Sequence, residues 1–181
     1  MINEVSVTWD RYFLRIAREA ASNSKCRSGS GKKGAVIAFG KRLVSTGYSG
    51  PPAGMLECYE RIKYVGTHHN IQVAEGECPR AVMFPEGSLG KGLEFCVSCH
   101  AEVNAIIFAY RDLSNHTLYL WSPVMPCKYC AGYIINSGIT RVVGTTNKEY
   151  EVEPLSQVRQ MFRDTGVQFD VYRGGLDNER T

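Results

Sequence analysis

His100-Ala101-Glu102 and, after a helix-length run and a strand-like run, Pro126-Cys127-Lys128-Tyr129-Cys130 decide how the rest of this chain is read. One imidazole and two thiols make three metal ligands. A zinc ion that does chemistry keeps three protein ligands and leaves its fourth position open. Glu102 is then free to move protons. The run Val103 to Arg111 carries apolar residues at Val103, Ile106, Ile107 and Tyr110, the spacing of a buried helical face. Thr117 to Trp121 is rich in strand formers, and Cys127 to Asn136 reads as a second helix ended by Ser137-Gly138. Cys127 and Cys130 therefore face one side of a first helical turn, where the positive end of the helix dipole favours thiolate. A bare C-x-x-C would suit a structural zinc knuckle equally well. A carboxylate beside the histidine ligand, with both halves of the motif at helix starts, favours a catalytic centre.

The 181 residues are 44% hydrophobic and 22% charged, enough for one domain with a full core. The expected division is a single domain over 1–173, with a Cys-containing insertion at about 55–99, and a flexible tail over 174–181. A formal charge of +3 suits a small anionic ligand and gives no sign of a nucleic-acid partner. No apolar run approaches the roughly 20 residues that cross a bilayer, so no membrane association is expected. Seven cysteines, behind a start with no basic segment leading into an apolar one, suggest a reducing, cytoplasmic setting in which thiols serve metals.

In chain order, Thr8 is placed to cap a helix beginning near Trp9, with Trp9, Phe13, Ile16, Ala17 and Ala20 on its apolar side. Ser22 to Lys33 is a small, polar loop whose Lys25, Arg27, Lys32 and Lys33 either meet a phosphate or are merely solvated. Gly34 to Phe39 and Leu43 to Tyr48 read as a hairpin. The following Ser49-Gly50-Pro51-Pro52-Ala53-Gly54 must be a shaped loop at a strand end. Arg141 to Gly144 reads as a buried strand, Leu155, Val158, Met161 and Phe162 as a helical stripe, and Val167 to Tyr172 as a half-exposed strand.

Taken together, Gly34-Ala35-Val36-Ile37, Thr46-Gly47-Tyr48-Ser49-Gly50-Pro51-Pro52-Ala53-Gly54, His100-Ala101-Glu102-Val103-Asn104-Ala105-Ile106 and Pro126-Cys127-Lys128-Tyr129-Cys130 resemble the zinc-dependent deoxycytidylate (dCMP) deaminase family over roughly residues 8 to 145. The resemblance implies an α/β, cytidine-deaminase-like three-layer sandwich, with a central mixed sheet of about five strands flanked by helices. It implies hydrolytic deamination of dCMP to dUMP and ammonia, feeding thymidylate synthesis. It also implies regulation by dCTP and dTTP and a homo-oligomer, often hexameric. His100, Cys127 and Cys130 would hold a catalytic zinc, and Glu102 would be the catalytic acid/base.

By the same resemblance Tyr48, Ser49, Pro51 and Asn104 would line the nucleotide pocket, and Cys26, Cys58, Cys78 and Cys96 would hold a second, structural zinc, with His68 or His69 as substitutes. Arg111 is expected either to serve the phosphate or an effector, or to be a solvated arginine at a helix end. Two departures from the family pattern, Ser49 in place of the usual Asn and a longer loop over Trp121 to Met125, bear on nucleotide preference. The alternatives are deamination of CMP, dCTP or a 5-substituted dCMP, of an RNA or free base, and a zinc module without catalysis.

Overall fold

Alternation along the strands sends their side chains into two separate apolar clusters. Ala35 and Ile37 join one cluster while Val36 and Ala38 join the other; Leu118 and Leu120 oppose Tyr119, and Val142 opposes Val143. Strands buried on both faces must be covered by helices on both faces. The computed structural model describes residues 4–26, 31–57, 77–84, 96–145 and 153–176, with the side chains of 4–8 and 153–156 outside the description. Its elements run α1 (Glu4–Ser22), β1 (Gly34–Phe39), β2 (Arg42–Tyr48), α2 (Pro79–Met83), α3 (Ala101–Ala109), β3 (Thr117–Trp121), α4 (Lys128–Asn136), β4 (Arg141–Gly144), α5 (Glu153–Thr165) and β5 (Gln168–Val171).

The sheet order is β2-β1-β3-β4-β5. β1 pairs antiparallel with β2 and β3, while β3-β4 and β4-β5 are parallel, with α4 and α5 as the crossovers. This is the expected mixed five-stranded sheet between helical layers. Phe13, Leu14 and Ala17 of α1 cover one face, and Ala101, Ala105, Ala131, Ile134, Val158 and Phe162 of α3, α4 and α5 cover the other. Arg141 ties α1 to the sheet. Its guanidinium donates to both Asp10 carboxylate oxygens at 2.8 and 2.7 Å and to Asp170 at 2.7 Å, and the Tyr119 hydroxyl donates to Asp10 at 3.0 Å.

Several expectations need correction. α1 begins at Glu4, so Thr8 lies inside the helix rather than at its cap, and the buried stripe includes Leu14 and Ala21 as well as Phe13 and Ala17. α2 was not anticipated. The buried side of α3 is Ala101, Glu102 and Ala105, while Ile107, Phe108 and Tyr110 are 55%, 52% and 85% exposed. The reason is close approach: a Cβ on Gly47 of β2 would collide with the backbone of Ala101 and Ala105, so only the small-residue side of α3 can face the sheet. α3 ends at Ala109, with Tyr110 left-handed at φ 50°, and Arg111 lies exposed beyond it. Leu176, inside the expected 174–181 tail, is buried in the α1-side cluster, and 177–181 lie outside the described residues.

Candidate metal centre and active site

His100 and Cys127 are the N-cap residues of α3 and α4, both with extended backbone (φ −75°, ψ 152° and φ −73°, ψ 167°). Neither side chain makes a capping hydrogen bond. Both instead turn toward Cys130, in the first turn of α4. The two helix N-termini thus converge on one point, and their dipoles favour negative charge there. α3 is held against β2 by the Gly47 contact and by the Ser45 hydroxyl, which donates to the Ala105 carbonyl at 2.7 Å.

The ligand atoms of His100, Cys127 and Cys130 all lie within 4.8 Å of one another, the one such group of three among the described residues. His100 Nδ1 is 3.3 Å from Cys130 Sγ and 3.6 Å from Cys127 Sγ. A tetrahedral zinc with Zn–S of about 2.3 Å and Zn–N of about 2.0–2.1 Å requires an N···S separation of about 3.6 Å. The donor set and its spacing therefore fit zinc. A hydrogen bond with Cys127 raises the His100 imidazole pKa from its ordinary value. Cys127 is held down to about 4, first by its hydrogen bond from Cys130 and then, against burial, by His100, and Cys130 is pushed up by the same pairing. These shifts favour a thiolate at Cys127, the form in which a cysteine binds metal.

Glu102, in the first turn of α3, is only 4% exposed, and its Oε2 has no hydrogen-bond partner. Burial pushes its carboxyl above the ordinary range, while the charges of His100 and Lys33 pull the other way. A buried unpaired carboxylate oxygen costs about 1–3 kcal/mol or more. Such an atom marks a place that a water or a substrate completes.

Around this centre the loop after β2 is fastened on several sides. Asn104 Nδ2 donates to the Tyr48 carbonyl at 2.8 Å, Cys99 N–H donates to the Gly50 carbonyl at 2.8 Å, and Ser24 Oγ donates to the Ser49 carbonyl at 2.6 Å. Tyr48 is 43% exposed, Pro51 is partly buried, and Ser49 is 4% exposed with its hydroxyl on Ser24. The pocket-wall candidates Tyr48, Ser49, Pro51 and Asn104 are thus brought together beside the metal ligands, whereas Arg111 sits in the exposed turn after α3. The longer loop before Pro126 packs inward, with Ser122, Val124 and Met125 buried. Cys26, Cys78 and Cys96 do not form a second ligand group among the described residues, and Cys58, the fourth expected ligand, lies outside them. The sequence reading missed Ser24. Nothing in a small polar loop distinguishes a serine that is only 1% exposed.

A mixed sheet with two helix N-termini aimed at a His-Cys-Cys centre and a buried carboxylate is the arrangement of the zinc-dependent nucleobase-deaminase class. The sequence model of the cytidine and deoxycytidylate deaminase zinc-binding region matches residues 7–146. The chain belongs to that family. It is 37% identical over 139 residues to the deoxycytidylate deaminase of Mycobacterium phage D29, covering 75% of this chain and 92% of the phage protein. It is 32% identical over 170 residues to the Schizosaccharomyces pombe deoxycytidylate deaminase, covering 94% of this chain but only 46% of that protein, so it spans about half that relative's length. The crystal structure of cyanophage S-TIM5 dCMP deaminase in apo form shares the fold, with a TM-score of 0.57 at 18% identity, covering 94% of this chain and 99% of that one. The same phage enzyme in complex with dCMP and dUMP superposes with a TM-score of 0.55 at 16% identity, covering 94% and 98%.

Proposed function

We propose that the chain hydrolyses dCMP to dUMP and ammonia in the cytoplasm, supplying dUMP for thymidylate synthesis, with dCTP and dTTP as effectors. The observation that carries this reading is the buried, unpartnered Glu102 Oε2 beside the His100-Cys127-Cys130 centre. The choice of dCMP is supported by the name of the phage D29 relative, whose length this chain nearly spans. When bound, zinc supplies a Lewis acid that lowers the pKa of water from 15.7 toward about 7. Glu102 takes a proton from the attacking water, passes it to N3 of the cytosine, and later delivers a proton to the departing amino group. Tyr48, Ser49, Pro51 and Asn104 wall the nucleotide, and Arg111 serves the phosphate or an effector. Ammonia release is measured with dCMP, CMP, dCTP, deoxycytidine and 5-methyl-dCMP, with and without dCTP and dTTP. The highest kcat/KM on dCMP is expected, and a preference for another substrate in the set replaces dCMP.

The structural zinc on Cys26, Cys58, Cys78 and Cys96 belongs to the same proposal, with thiols ordering an insertion that has little core of its own. Metal analysis should return about two zinc ions per chain, falling by about one in Cys78→Ser with His100 intact. About one zinc in the wild type, unchanged in Cys78→Ser, removes the second site.

A homo-oligomer, with a hexamer as its expected form, is supported by the outer faces of α3 and α4. Ile107, Phe108, Tyr129 and Tyr133 are each more than half exposed on these two packed helices. Large apolar side chains left exposed on two packed helices suit a subunit interface.

A further inference from the structure

Ser24 is the second residue past α1 and carries no metal or substrate role in the mechanism above. It is nonetheless 1% exposed, and its hydroxyl meets three polar groups. Their roles can be assigned by counting protons. A serine hydroxyl has one proton and two lone pairs. Ser24 Oγ lies 2.6 Å from the Ser49 carbonyl oxygen, which can only accept, so the Ser24 proton goes there. The Ser49 hydroxyl, 2.8 Å from Ser24 Oγ, must then donate to it. The Cys26 N–H donates to the same oxygen at 3.2 Å. The Ser24 hydroxyl is fully used, and two of its three partners belong to the loop that borders the zinc centre.

That loop is held by consecutive carbonyls. Tyr48 O takes Asn104 Nδ2 from α3, Ser49 O takes Ser24 Oγ from the end of α1, and Gly50 O takes the N–H of Cys99, the residue before His100. The Ser49 N–H in turn donates to Lys33 O at 3.1 Å. Two of these anchors move with the metal-binding helix. Ser24 is the side-chain anchor from the opposite face of the sheet, so it fixes the distance between the loop and the core rather than between the loop and the zinc.

We propose that Ser24 is a positioning residue for deamination: through its bonds to the Ser49 carbonyl and hydroxyl it sets the loop wall against which the nucleotide is held. The inference rests on the deaminase reading above. Ser24 touches neither substrate nor metal, so its loss acts on binding geometry before it acts on the proton transfers of Glu102. Ser49 acts here as a strut.

The test uses the zinc-loaded full chain with dCMP. Ser24→Ala should raise KM about tenfold with kcat within about threefold of wild type and zinc content unchanged. Ser24→Cys, which fills the space but bonds weakly, should move KM the same way and keeps the test available where the alanine variant folds poorly. Amide hydrogen exchange at Ser49 should quicken in either Ser24 variant, a readout that needs no turnover. A KM within twofold of wild type for both Ser24 variants, with only a lowered Tm, overturns the proposal. A wild-type chain inactive on dCMP but with faster Ser49 exchange in the variants removes the substrate reading and leaves the clamp in place. Unchanged exchange removes the clamp itself.

Discussion

Glu102 shows how much one side chain can cost and why it is kept. Its Oε2 is buried without a partner, so a glutamine there, equal in size, relieves the charge burial while abolishing the acid/base role. Glu102→Gln is expected to retain zinc and fold and to lose about 10² to 10⁴ in kcat. Metal analysis and a thermal melt beside the ammonia assay check this, and near wild-type turnover would refute the assignment. The four residues of this centre were legible in sequence, because ligand chemistry needs particular atoms at particular offsets. The loop contacts were not, because Ser24 and Ser49 meet across a sequence separation that carries no pattern.

The strand-and-helix pair β2–α3 is where packing decides the site. Gly47 lets the backbone of α3 come into direct contact with β2, which sets the place of both His100 and Glu102. Gly47→Ala is expected to destabilise the chain by about 3 kcal/mol, the upper range for overpacking against rigid backbone, and to lower kcat in the molecules that remain folded. Chemical denaturation and the assay at reduced temperature read the two effects. The apolar spacing of α3 pointed to Ile107 and Tyr110 as core. Ile106, on the same expected face, does pack against that cluster, but the close interface takes small side chains, Ala101 and Ala105, and leaves Ile107 and Tyr110 outside.

β3 carries a second consequence, at alkaline pH. Burial, and then the charge and hydrogen bond of Asp10, raise the Tyr119 phenol above its ordinary value of 10.0. The folded state therefore holds this proton more tightly than the unfolded state does. The stabilisation is complete below pH 10 and is lost as pH rises past it, because the unfolded chain releases the proton first. Unfolding free energy measured from pH 8 to 11 should fall less steeply in Tyr119→Phe than in the wild type. An equal slope in both would show that the phenol does not titrate in this way.

For the whole molecule, the two packed helices that hold the zinc ligands on their inner ends present Phe108, Ile107, Tyr129 and Tyr133 on their outer sides. Phe108→Glu, at a position 52% exposed in the single chain, should reduce the mass measured by light scattering while leaving the thermal melt of the subunit within a few degrees. A wild-type chain that runs as a monomer ends this expectation.

The sequence by itself determined the order of the elements other than α2 and the His100-Cys127-Cys130 ligand set, because strand alternation, helix-start chemistry and metal-ligand spacing are local and periodic; the mixed sheet followed from the family resemblance. Tertiary structure alone decided which side of α3 is buried, how far α1 extends toward the N-terminus, and that Ser24 reaches Ser49. It also placed Asp10, Arg141, Asp170 and Tyr119 in one network spanning α1 and three strands. Each of these depends on how closely two distant segments approach, and that distance is set by the packing of the whole core.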